Sequence, residues 1–496
     1  MRSFQATAIL TMSAEGTSTR YANEDVLRTR FAAALSAMYR AEVPLYGDLI
    51  EFVRDINASA QQSISETNPP NFTPGVYASI ERLTQERHGA VRLGTPYELQ
   101  TIKRIFRVLG MHPIGYYDLS IAGLPMHATC FRPLTIPSLD RNPFRVFTTL
   151  LRPELLASEE ARRLSLQLLK KRNIFSDELL KILDQVDRER GKLKEDQTDV
   201  FIDEALSTFR WQSIAAATFN EYQTLKVTHP ILADIVCFQT AHLNHLTPRT
   251  LDIVAVQSAM KKAGMAAKAQ IEGPPARECP ILLRQTSFLA IEEPVQFRRD
   301  ENQSIDALVK ASHRARFGEI EQRGAAVTPK GRELYDKLLY ESKAQAAHVT
   351  PIEADAITTR IFKKYPDTWA ELRQQRLIYC EFKVKQATTT LPLHLEEDSI
   401  LETLITEGIV EAVPITYEDF LPFSAAGIFQ SNLQSPTSTT YTPLHNAVAD
   451  LKGLEEAMGG EILDLDAWYV AAQRKSLEEV SKTLGLPQEK LILDNF

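Results

Sequence analysis

Cysteine is scarce in this chain. Its 496 residues include four, Cys130, Cys237, Cys279 and Cys380, spaced too widely for any CxxC pair. That spacing argues against a disulfide framework and a cysteine zinc site, and it suits a reducing compartment. No apolar run approaches the roughly 18 residues that a membrane-crossing helix needs. A basic footprint is also missing. Acidic side chains outnumber basic ones 64 to 56, the formal net charge is -8 and the pI is near 5.8, which speaks against a nucleic-acid partner. No fixed short repeat occurs. The first fourteen residues lack acids but hold one arginine, too few for a transit peptide. Residues 1–22 are therefore expected to be a disordered leader on a cytoplasmic protein, with organelle targeting the lesser alternative. The whole chain is 44% hydrophobic and 24% charged, as in a soluble globular protein of about two to four domain-sized units.

The stretch Arg316-Phe317-Gly318-Glu319-Ile320-Glu321-Gln322-Arg323-Gly324 stands out. As a strand it puts Phe317, Glu319 and Glu321 on one face. Carboxylates drawn into a protein need a metal ion or an arginine as partner; the alternative is an edge strand with two wet glutamates. Earlier, in Glu86-Arg87-His88-Gly89-Ala90-Val91-Arg92, His88 and Arg92 share a face whether the segment is strand or helix. In Ala241-His242-Leu243-Asn244-His245-Leu246-Thr247-Pro248, the proline disfavours helix. A strand would turn the two histidines to opposite faces, so one at most reaches a site.

Periodicity and turn residues give an α+β reading. Residues 1–22 are the leader, and 23–153 hold N-terminal helices and a first βαβββ-like unit. The span 154–230 is a helical insertion, and 231–327 is a second strand-rich unit that opens with a strand over Ile231 to Phe238. Helix returns over 328–375. Strands and a loop that could wall a pocket follow over 376–435, and helices close the chain over 436–496. His88, His245 and Glu319 lie on three strand-like segments. Two imidazoles and a carboxylate suit the facial triad of non-haem Fe(II) oxygenases and equally a catalytic zinc. Spacing does not show that they meet.

The segments ERHGAVRLGT, LGMHPIGYYDLS, NPFRVFTTLLR, HLNHLTPRTLD, ILLRQTSF, RFGEIEQRG, VTPKGRELYD and ITYEDFLPFSAAGIFQSNL resemble the 2-oxoadipate dioxygenase/decarboxylase family, a relative of the vicinal oxygen chelate enzymes. The resemblance runs from about residue 25 to about residue 435. It implies a vicinal-oxygen-chelate-like curved sheet of βαβββ-type units carrying helical insertions. It implies Fe(II) on His88, His245 and Glu319, with no catalytic residue beyond the metal centre. Arg92 would bind a substrate carboxylate and Ser424 would line the pocket. The family has a smaller aliphatic residue before that serine. Phe423 stands there in this chain, which puts the substrate's chain length in question. Glu321, and less strongly His127 and His242, are candidates to orient the ligands. The implied reaction, in lysine catabolism, takes 2-oxoadipate and O2 to 2-hydroxyglutarate and CO2, without separate 2-oxoglutarate. Two other readings of the same residues are a zinc- or other metal-dependent lyase or isomerase and a non-catalytic binder of acidic metabolites.

Overall fold

Asn23 starts the first helix. Its side chain accepts from the backbone N–H groups of Asp25 and Val26 and so caps Glu24–Glu42, satisfying donors a helix start leaves open. The computed structural model describes residues 20–67, 83, 86–298, 308–347, 349–385, 400–421 and 448–491. Phe423, Ser424 and residues 1–19 lie outside the described residues. Tyr21, within the expected leader, bridges to Lys194.

The strands are β1 (Glu86–Leu93), β2 (His112–Asp118), β3 (Met126–Arg132), β4 (Arg145–Leu151), β5 (Ile214–Thr218), β6 (His245–Pro248), β7 (Leu283–Ser287), β8 (Glu292–Arg298), β9 (Val309–Arg314), β10 (Phe317–Arg323), β11 (Cys380–Val384) and β12 (Val410–Pro414). Seven of them make one curled sheet in the order β2-β3-β4-β1-β6-β10-β7. In the first half, β1 leads into the helix Pro96–Val108 and then three strands, the last returning parallel to β1. That is a βαβββ unit. The second half repeats the device: β6, the helix Ile253–Lys262, β7, and β10 returning parallel to β6. The halves join where β1 and β6 pair antiparallel. The fold is thus α+β with a curved sheet at its centre.

Alternation explains which face is which. Val91, Leu93, Leu246 and Ile320 join the apolar core formed with Phe31, Leu35 and other helix residues. The residues between them, His88, Arg92, His245 and Glu319, are equally buried but turn to the other side.

Two expectations fail. Ile231 to Phe238 is not a strand; Pro230–Val236 is a helix, with Pro230 in its first turn and the His229 side chain accepting from Ile231 N. All of Ile231–Val236 is buried, so the segment has no polar face to give it a period, and only the proline marks it as helix. Within the span read as helical, β5 pairs with β8, and with β9 these form a separate three-stranded sheet. The β8–β9 hairpin went unrecognised in the sequence.

Gly324 ends β10 where backbone meets backbone: a Cβ there would lie 2.2 Å from Pro280 C and 2.3 Å from Ile281 N. Gly324→Ala is expected to cost about 1–3 kcal/mol or more, measured as a lower midpoint in urea or thermal unfolding.

Candidate functional site

Strand register assembles the site. Residues directly opposite each other in neighbouring strands project from the same face. His88 lies opposite Thr247, and Ala90 opposite His245. His245 in turn lies opposite Phe317, and Glu319 is two residues further along β10. The three side chains therefore converge from three adjacent strands. One ligand atom from each of His88, His245 and Glu319 falls within 4.8 Å of the others, and all three residues are buried. His88 Nε2 is 3.0 Å from Glu319 Oε1. The Thr247 hydroxyl lies 3.0 Å from His88 Nε2 and 3.2 Å from Glu319 Oε1.

Around this trio the groups are fixed. His88 Nδ1 is 2.9 Å from Glu321 Oε2. Arg323 grips the same carboxylate with Nε at 2.7 Å and Nη2 at 2.8 Å. Burial alone would raise the Glu321 carboxyl's pKa, but Arg323 and His88 outweigh it and hold it well below the usual range. An ionised carboxylate only accepts, so His88 donates from Nδ1 and turns Nε2 toward Glu319. Arg323 Nη1 also donates to the carbonyls of Tyr417 and Asp419 at 2.9 and 2.7 Å. That ties the segment from Tyr417 to Leu421 over the site. The Phe420 ring sits 4.8 Å from the His88 ring and 5.0 Å from Phe147. The His245 ring stacks on Phe317 at 4.7 Å. Burial, then His88 and Arg92, push the His245 pKa well down, so this imidazole is neutral and has a lone pair to give.

Arg92 lies two positions beyond Ala90 on the same face and bonds through Nη1 to Asp234. His242 takes no place beside the trio. Its Nε2 is 3.0 Å from Asp234 Oδ1, which puts it behind Arg92. His127 is paired in register with Leu150 on β4 and sets its ring 6.0 Å from Tyr116; its neighbour Ala128, opposite Thr149, is on the face of Arg92. Thr247, Asp234, Arg323 and Phe420 were not singled out from the sequence. Arg323 was within reach: the alternation linking Phe317, Glu319 and Glu321 continues to it. Thr247 is likewise two residues past His245. Asp234 had no such signal, because its helix was read as a strand.

The donor set fits a cation. Neighbouring ligands about 2.0–2.2 Å from one ion stand roughly 3 Å apart, the separation of His88 Nε2 and Glu319 Oε1. Glu319 Oε2 is buried with no hydrogen-bond partner among the described residues. A neutral imidazole, an imidazole oriented by a carboxylate and a buried carboxylate suit a divalent transition metal.

A family model for 2-oxoadipate dioxygenase/decarboxylase matches residues 31–432. The 2-oxoadipate dioxygenase/decarboxylase of Pseudomonas putida is 44% identical over 471 residues, covering 94% of this chain and 98% of that protein. The Escherichia coli (strain K12) protein of the same name is 44% identical over 453 residues, covering 91% and 97%. The crystal structure of the hydroxyglutarate synthase from Pseudomonas putida in complex with 2-oxoadipate superposes with a TM-score of 0.82 at 42% identity, covering 95% of this chain and all of that one.

The placement of His127 has a consequence for stability. Burial, then Arg152, lowers its pKa to about 4, against roughly 6.5 in an unfolded chain. Between those values the unfolded state binds a proton that the folded state refuses. Stability should therefore fall as pH drops from about 6.5 to about 4, by up to ~1.4 kcal/mol per pH unit from this group. In urea titrations across that range, His127→Gln should show a shallower decline than the unmodified protein.

Proposed function

This chain belongs to the 2-oxoadipate dioxygenase/decarboxylase family, and on that premise we propose that it converts 2-oxoadipate and O2 to 2-hydroxyglutarate and CO2, using Fe(II) held by His88, His245 and Glu319. The reaction balances: of the two atoms of O2, one enters the new carboxylate and the other the new hydroxyl. It belongs to lysine catabolism. The observation that carries this reading is the convergence of two imidazoles and one carboxylate, from three strands, within 4.8 Å. The Pseudomonas putida structure with 2-oxoadipate bound supports the choice of substrate.

When bound, Fe(II) supplies redox chemistry with O2 and leaves coordination positions open for the 2-oxo acid. The chain's own residues supply the rest. Glu321, ionised by Arg323, accepts a hydrogen bond from His88 Nδ1 and fixes the ring's orientation. His245 offers a neutral nitrogen. Arg92 meets the distal carboxylate of the diacid with a guanidinium suited to paired hydrogen bonds. Phe420, backed by Phe147, packs against the His88 ring and limits the access of water to it. From the family resemblance we assign Ser424 to substrate binding and Phe423 to limiting the length of the diacid.

Protein loaded anaerobically with Fe(II) and then given 2-oxoadipate and O2 should take up O2 and yield 2-hydroxyglutarate and CO2 in equal amounts. No O2 uptake with any 2-oxo diacid would sink the proposal. Glu319→Gln should lose both bound iron and turnover. Glu321→Gln should keep the fold but weaken metal affinity about 10- to 100-fold, read by chelator competition. Arg92→Gln should weaken binding of 2-oxoadipate by about 2–5 kcal/mol, read by anaerobic titration calorimetry.

A further inference from the structure

We propose that Asp234 is a positioning residue that aims the Arg92 guanidinium at the distal carboxylate of the substrate. This rests on the reading of Arg92 given above. The inference starts from the way Asp234 is held. It is fully buried on the helix Pro230–Val236, and its two oxygens have separate tasks. Oδ2 receives Arg92 Nη1. Oδ1 receives two imidazoles, His242 Nε2 and His313 Nε2, each at 3.0 Å.

Those imidazoles are fixed in turn. His313 lies on β9, in the separate three-stranded sheet, and its Nδ1 is 3.1 Å from the Tyr222 hydroxyl. The Trp211 ring packs edge-on against His242 at 4.8 Å and parallel to His313 at 6.3 Å. A carboxylate bound at one oxygen by a single partner can rotate. This one is bound at both oxygens by side chains from β1, β9 and the segment before β6, so its direction is set. Arg92 reaches the site on a long, rotatable stem, and the oxygen it meets anchors its Nη1 end. The distance from the trio to the cation that receives the far end of the substrate is thereby held within a narrow range. A rigid span of that kind selects one diacid length.

Nothing here requires Asp234 to touch substrate. Its effect on substrate passes through Arg92, and the comparison of two substrates below separates that effect from its part in holding His242, His313 and Asn244. The small sheet and the helical insertion, remote from the metal ligands in sequence, acquire a role as the support of this carboxylate.

The test compares 2-oxoadipate with 2-oxohexanoate, which keeps the 2-oxo acid but lacks the distal carboxylate. Both KM values and anaerobic calorimetric titrations are read for the unmodified enzyme, Asp234→Asn, Arg92→Gln and the double variant. Asp234→Asn should raise KM for 2-oxoadipate about 10- to 100-fold while moving KM for 2-oxohexanoate little, so that the preference between the two collapses. In the Arg92→Gln background it should add nothing further, since residues acting through one another are non-additive. If the unmodified enzyme shows no preference for 2-oxoadipate, the reading of Arg92 itself fails. If that preference exists and survives Asp234→Asn, or if the two substitutions simply add, the inference about Asp234 alone is overturned. Should Asp234→Asn not fold, His313→Gln removes one Oδ1 partner, leaves the ion pair, and carries the same readout: a weaker preference supports the inference and an unchanged one overturns it.

Discussion

Four residues, His245–Pro248, join the two halves of the sheet, and the site exists only because they pair with β1 on one side and β10 on the other. A slip of one residue in either pairing would turn His245 to the apolar face and empty the site. Several bonds oppose such a slip. Asn244 N donates to Ala90 O at 3.0 Å, and Phe317 N donates to Asn244 O at 3.1 Å. The buried Tyr39 hydroxyl lies 2.8 Å from both Asn244 O and Phe317 O. Beyond the strand, Thr250 N donates to Glu321 O at 2.8 Å. The first helix thus reads the register of the central strands directly.

The second constraint is charge. Arg87, Arg132, Arg145 and Arg323 are fully buried and meet Glu321, Glu418 and Asp419. Arg132 holds Asp419 with Nε at 2.8 Å and Nη2 at 3.1 Å. Arg87 and Arg145 share one oxygen of Glu418. Arg87 reaches this network where a bulge between Glu86 and His88 interrupts the pairing of β1 with β6. Such a network adds little net stability, because its members lost their water shells on burial. Deleting one member is costly, about 3–5 kcal/mol, because a charge is left behind unmatched. The benefit is geometric: Glu321 stays ionised and directed at His88, and Phe420 stays over the site.

Much of this was legible in the sequence. Alternation along β10 put Phe317, Glu319 and Glu321 on one face, and the same rule put His88 with Arg92. Pro248 told against a helical pairing of His242 with His245. Local pattern could not say which strand lies beside which, so it could not bring His88 to Glu319; the motif resemblance carried that step, and the register accounts for it physically. The support of Arg92 was hidden for another reason. Ile231–Val236 is apolar except for Asp234 and buried all round, so helix and strand predict the same residues. The β8–β9 hairpin, which brings His313 beneath Arg92, begins with the pattern Glu-Glu-Pro-Val, whose proline reads as an interruption; β8 tolerates it because Pro294 precedes the positions that pair with β5.

The wall over the site is tied to the far end of the chain. Tyr469, on the helix Leu465–Leu484, donates from its hydroxyl to Asp419 at 2.7 Å and accepts from Glu418 N at 2.8 Å. Its neighbour Trp468 donates to Leu134 O at 2.7 Å and lies under the Arg132 guanidinium. A ribosome releases β1, β6 and β10 long before this helix emerges. The nascent chain can therefore fold both half-sheets while the wall still lacks its anchor, and such long-range closures come late. A chain stopped before this helix would carry His88, His245 and Glu319 without the anchor of the segment that lies over them.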